Sequence, residues 1–148
     1  MMTSQRNNYH QTAPHVFKAV YALEQTQSAF ALETSLRELI KVRASQLNGC
    51  ALCLDMHSAE ALKHGESARR LLALAAWEDA PFFSERERAA LLWTDTLTRL
   101  SSQHVSDALY DQVAVHFNEV EMAELTLAIA TINLWNRFGV GFAMQPSQ

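Results

Sequence analysis

Apolar residues along this chain recur at three- and four-residue spacing rather than in alternation, the period of helices that each bury one face. Pro14 opens the first such stretch, since its missing N–H costs nothing in a first turn. Val16, Val20, Leu23 and Phe30 carry the pattern to about Leu32. Ser35-Leu36-Arg37-Glu38 has capping-box spacing and starts a second helix that ends at Asn48-Gly49. A third begins at the cysteines and stops at Gly65, and Ser67 caps a short fourth through Ala75. Trp77 to Phe83, with Pro81, reads as a connection. Ser84-Glu85-Arg86-Glu87 repeats the capping-box pattern for a fifth helix to about Leu100, and Ser106 caps a sixth ending near Phe117. Asn118 caps the last, Glu119 to about Phe138. It is apolar almost all round, which places it centrally or in a subunit interface.

The expectation is therefore an all-α domain of six to seven helices over residues 13–144, with residues 1–12 a loose tail and the last four residues frayed. A length of 148 residues fits one domain with its own core. Twelve Lys and Arg against sixteen Asp and Glu give −4 with no basic run, so nucleic acid is not an expected partner. No apolar leader follows Met1, and the longest apolar tract, Met122–Trp135, is too short to span a bilayer. These features point to a cytoplasmic protein with no membrane partner.

Chemistry concentrates in Cys50-Ala51-Leu52-Cys53-Leu54-Asp55-Met56-His57, with Glu38 upstream. These are the only two cysteines. In a reducing cytosol such a pair means redox chemistry or metal more often than a structural staple. On a helix, Cys50, Cys53 and His57 share one stripe. Residues three apart in a helical turn lie within disulfide reach, and a helix N-terminus favours the thiolate. If the preceding helix packs antiparallel, Glu38 can orient His57 or pass a proton onward. A nucleophile, a base and an orienting carboxylate form the usual kit for activating a weak nucleophile.

Plainer readings stand beside this one. Glu38 at N3 of a capping box can simply bond the Ser35 backbone. His10, His15, His64, His104 and His116 have no companion motif and read as solvated or structural. Trp77 and Trp135 read as core or interface, Asn136 and Arg137 as structural, and Glu85–Arg88 as a solvated face. A metal module on Cys50, Cys53 and His57 is cramped for a tetrahedron. No glycine-rich phosphate loop is present, so no organic cofactor is expected.

With these residues in view, the chain resembles the AhpD-like alkylhydroperoxidases of the carboxymuconolactone decarboxylase superfamily, in their short, single-motif branch. The likeness rests on Glu38, Cys50, Cys53 and His57, on the run Leu39–Cys50, on Ala80–Glu87 and on Thr131–Arg137. It implies an all-α homo-oligomer, trimer or hexamer, that reduces organic hydroperoxides. By that resemblance Cys53 attacks the peroxide, Cys50 resolves the sulfenic acid, Glu38 and His57 serve the proton relay, and an external dithiol re-reduces the pair. Nearness to the helix start leaves Cys50 open as the exchanging thiol. One departure stands out: Leu52 occupies the place of a histidine in the founding peroxidase. That keeps a second reading alive, a redox-sensing oligomer whose cysteines oxidise without efficient turnover.

Overall fold

A computed structural model of the protein describes residues 4–148. Eight α-helices and no strand are found among them: α1 (Tyr9–Thr12), α2 (Pro14–Thr26), α3 (Thr34–Asn48), α4 (Ala51–Lys63), α5 (Ala68–Ala73), α6 (Glu85–Thr98), α7 (Asp107–Ala114) and α8 (Glu119–Gly141). Among the described residues, no helix is long and apolar enough to cross a membrane.

Most boundaries follow the local chemistry that predicted them. Ser67, Ser84, Ser106 and Asn118 each accept a backbone N–H from the first turn of their helices. At Ser84 and Asn118 the reciprocal bond from Glu87 or Glu121 completes a capping box. Gly49 and Gly65 take left-handed backbone after α3 and α4, with φ of 67° and 91°, a conformation that a Cβ would disfavour.

Several expectations need correction, the count of six to seven helices among them, since α1 adds an eighth. The first long helix does not reach Leu32. It ends at Thr26, passes through a single 3₁₀ turn (Gln27–Ala29), and becomes extended at Phe30. The reason lies far along the chain: the Glu124 carboxylate of α8 accepts the N–H groups of Ala31 and Leu32 at 3.1 and 2.9 Å. Leu32, 1% exposed, is thereby delivered to the core from a loop. Another correction concerns Ser35, which lies inside α3. Glu33 is the N-cap residue, and it makes no side-chain cap bond. Glu38 is therefore free of capping duty. A further one concerns the tail. Met1–Thr3 lie outside the described residues, but Tyr9 is buried and its ring stacks on Phe138 at 4.4 Å. The Arg6 N–H also bonds the Phe142 carbonyl. The N-terminal segment is packed onto the C-terminal end of α8.

The core has two halves that share α3. On one side Leu36, Ile40 and Ala44 meet Ala90 and Trp93 of α6 and Leu125, Ile129 and Ile132 of α8. On the other, Leu39 and Val42 meet Ala61, Leu71, Leu74, Trp77 and Leu91. Buried on both flanks, α3 is a central helix, and α8 packs beside it and against α2, α4 and α6. The 85–88 charge run is tied in rather than merely solvated. Arg86 bridges Glu33 and Glu121, Arg88 donates to the Trp77 carbonyl, and Glu87 receives Arg70.

Candidate functional site

The turn at Gly49 folds α4 back against α3, and Cys50 is the N-cap of α4. Its Sγ accepts the Cys53 N–H at 3.3 Å, so the first cysteine does the work that serine does at other helix starts. The two cysteines form a disulfide with Cα atoms 5.3 Å apart, inside the range that such bonds need. Cys50 is 1% exposed and Cys53 6%.

Packing of α3 on α4 brings Glu38 opposite His57. Glu38 Oε2 lies 3.4 Å from His57 Nδ1, a facing contact that leaves this buried oxygen without a hydrogen-bond partner. Tightened to a hydrogen bond, the contact would place the proton on Nδ1 and leave Nε2 as the basic nitrogen. Oε1 of the same carboxylate accepts the Lys41 ammonium at 3.1 Å. Burial alone would push the Glu38 carboxyl up. The facing imidazole and the Lys41 charge together outweigh it and hold the group below the ordinary carboxylate range. Lys41 is itself buried and also donates to Glu24 of α2 at 2.6 Å. Glu24 further accepts Trp135 Nε1 at 3.2 Å and Gln27 Nε2 at 3.3 Å. A proton cannot travel past Glu38 through Lys41, because an ammonium has donors and no lone pair. Glu38 stands opposite His57, where an orienting role would require it.

Above the disulfide lies a cavity of about 320 Å³ with almost wholly apolar walls. Cys53 and His57 open onto it, with Leu52, Met56, Phe17, Tyr21 and Trp135. Cys50 does not. Of the two sulfurs, Cys53 is the one that lines the cavity. Four candidates from the sequence, Glu38, Cys50, Cys53 and His57, are therefore brought together.

Several contributors were not singled out from the sequence. Gly139 of α8 crosses directly over the disulfide: a Cβ there would lie 2.5 Å from Cys50 Sγ and 3.4 Å from Cys53 Sγ. In sequence it falls just past the expected end of the last helix near Phe138, where a glycine reads as an ordinary stop, but α8 continues to Gly141. Lys41 had a signal in its i,i+3 spacing from Glu38, whereas Glu24 carries none, since nothing in its position announces a partner on another helix. His10 lines the cavity from α1, with its ring 4.0 Å from that of Phe17, and Trp135 is a wall as well as core. Asn136 is structural as read: it accepts from Asn48 and donates to Ser45. Among the described residues, no group of three or more His, Cys, Asp or Glu is arranged to hold a metal ion.

The fold and the cysteine helix together define a protein class. The family model of the carboxymuconolactone decarboxylase family matches residues 14–96, and the chain belongs to this family, among its AhpD-like members. Uncharacterized protein YdfG of Bacillus subtilis (strain 168) is 40% identical over 137 residues, 93% of each chain. A protein of unknown function from Agrobacterium tumefaciens, associated by name with the antioxidant defence protein AhpD, superposes with a TM-score of 0.95 at 39% identity. The match covers 98% of this chain and 99% of that one. The debrominase Bmp8 shares the fold at 23% identity with a TM-score of 0.81, covering 92% of this chain and 73% of its own. A redox role fits the family and the disulfide, while the fold alone is compatible with more than one reaction.

Proposed function

We propose that this protein is a thiol-dependent peroxidase that reduces organic hydroperoxides through a Cys50/Cys53 dithiol–disulfide cycle. The observation that carries the reading is the pairing of a disulfide-forming Cys53 with a carboxylate-backed His57 at one apolar cavity. In the reduced protein His57 Nε2 takes the Cys53 proton. The thiolate attacks the terminal peroxide oxygen, the O–O bond breaks, and the leaving alkoxide takes the proton from His57 as the alcohol departs. Cys53 is then a sulfenic acid. The Cys50 thiol attacks the Cys53 sulfur, water leaves, and the disulfide closes with little backbone motion. An external dithiol supplies two electrons to reopen it. An apolar cavity favours a hydroperoxide with a hydrocarbon body over hydrogen peroxide.

The test is a free-thiol count on reduced protein before and after one equivalent of cumene hydroperoxide. Loss of both thiols within seconds, reversed by a dithiol, is the expected result. Thiols that persist refute the reading. A second reading draws on Leu52, an apolar wall where the founding peroxidase has a histidine. It makes the protein a redox sensor of the same family. It predicts oxidation by peroxide but negligible turnover when a dithiol-recycling system is supplied.

A further inference from the structure

The charged residues behind His57 do not end at Glu38. Glu24, Lys41, Glu38 and His57 form one chain of charges that starts on the cavity wall at His57 and returns to it at Glu24. Three of its members come from two helices that carry no cysteine: Glu24 from α2, and Glu38 and Lys41 from α3. Lys41 is 4% exposed, a burial a lysine tolerates only when paired. Its ammonium meets both carboxylates, at 2.6 and 3.1 Å.

Counting charges gives this arrangement a meaning. Two carboxylates and one ammonium sum to −1, and a protonated His57 brings the cluster to zero. The cluster therefore carries one negative charge that Lys41 does not balance, and His57 is the group that faces it. Without Glu24, the undivided Lys41 charge would cancel Glu38, and nothing would be left to hold an imidazolium. Without Lys41, two bare carboxylates would hold it far more strongly. We infer that Glu24, acting through Lys41, is a positioning residue that sets the pH at which His57 takes and returns its proton. This rests on the reading of His57 as the base, and it adds a second carboxylate to the machinery. Other titratable groups facing the cavity are His10 of α1, Tyr21 of α2 and Cys53 of α4 itself, while α8 contributes the uncharged Trp135 and Gly139.

The test is the titration of His57 by NMR in the disulfide form, where no thiol titrates, with the resonance assigned by its loss in His57→Gln. Glu24→Gln keeps the contacts to Lys41 and Trp135 sterically possible and removes one negative charge. The His57 midpoint should fall by roughly half a pH unit or more, the size expected for one charge acting at this range through a partly buried path. Glu24→Asp should restore most of it. Lys41→Met should move the midpoint the opposite way, upward. Opposite signs are the signature, since a merely loosened site would move both variants in one direction. An unchanged midpoint in Glu24→Gln, or a shift of the same sign in both variants, overturns the inference. Should Lys41→Met fail to fold, the Glu24→Gln and Glu24→Asp pair decides alone. The hydroperoxide test is separate. If wild-type thiols ignore peroxide while the midpoint moves as stated, the peroxidase reading fails and the role of Glu24 stands.

Discussion

Replacing Gly139 with alanine tests how tightly α8 is pressed onto the disulfide. In a helix interior the substitution should help, by about 1 kcal/mol of backbone propensity. Here the added methyl would stand 2.5 Å from Cys50 Sγ, about 1 Å inside ordinary contact distance. That sulfur cannot swing away, because it is bonded to Cys53 and caps α4. The helix must shift instead, and overpacking of this kind costs about 1–3 kcal/mol. With an immobile neighbour the upper end applies, leaving a net loss of about 2 kcal/mol, or roughly 4–8 °C in melting temperature for a chain of this size. Gly141 supplies the control. It lies in the same helix with nothing within 4 Å of its would-be Cβ, so Gly141→Ala should be neutral or slightly stabilising. Thermal melts of the two variants in the oxidised state give the comparison. If both melt at or above wild type, the close approach of α8 to the disulfide is not a constraint, and the reasoning fails.

Other perturbations follow from buried charge. Asp95 receives a two-pronged Arg43 at 2.7 and 2.8 Å and the Trp77 indole N–H. Asp95→Asn should cost about 3–5 kcal/mol, because a buried guanidinium loses its counter-charge, and a denaturant titration should show the midpoint fall with unchanged slope. Glu38 has a depressed carboxyl in the folded state. Its stabilising contribution is thus complete above the ordinary glutamate value of 4.5 and is lost as pH falls from there through the folded value. The stability gap between wild type and Glu38→Gln should shrink over that acid window, and a gap that is flat with pH contradicts the assignment. Glu124→Ala removes the acceptor for two loop N–H groups. It should cost about 1–3 kcal/mol and speed amide exchange at Ala31 and Leu32 ahead of the rest of the chain.

What could be read from the sequence was whatever is decided within one helical turn. Ser84 and Glu87, Asn118 and Glu121, and the glycine after α3 each announce a boundary because both partners lie a few residues apart. Cys50, Cys53 and His57 were legible for the same reason. Most of the exceptions involve partners far along the chain. Glu124 ends the helical run after Thr26 from more than ninety residues away. Glu38 satisfies the local capping pattern, yet it answers to His57 and Lys41. Tyr9 lies in a segment of polar composition and is fixed by an aromatic stack on α8. Glu24 meets Lys41 only because α2 and α3 lie side by side. Local rules put a boundary on the relay that the packing then extended.

Cys50 ties two tasks to one atom. Its sulfur begins α4 by accepting the Cys53 N–H, and the same sulfur closes the disulfide. An oxygen in its place could begin the helix equally well, as Ser67, Ser84 and Ser106 do elsewhere in this chain. A Cys-to-Ser change at this position would thus remove the disulfide, and with it the proposed redox cycle, while keeping the start of α4. The helix start is blind to such a loss, so capping alone does not preserve the sulfur. Retention of that cysteine across descendants of this chain would be a record of the disulfide rather than of the helix cap.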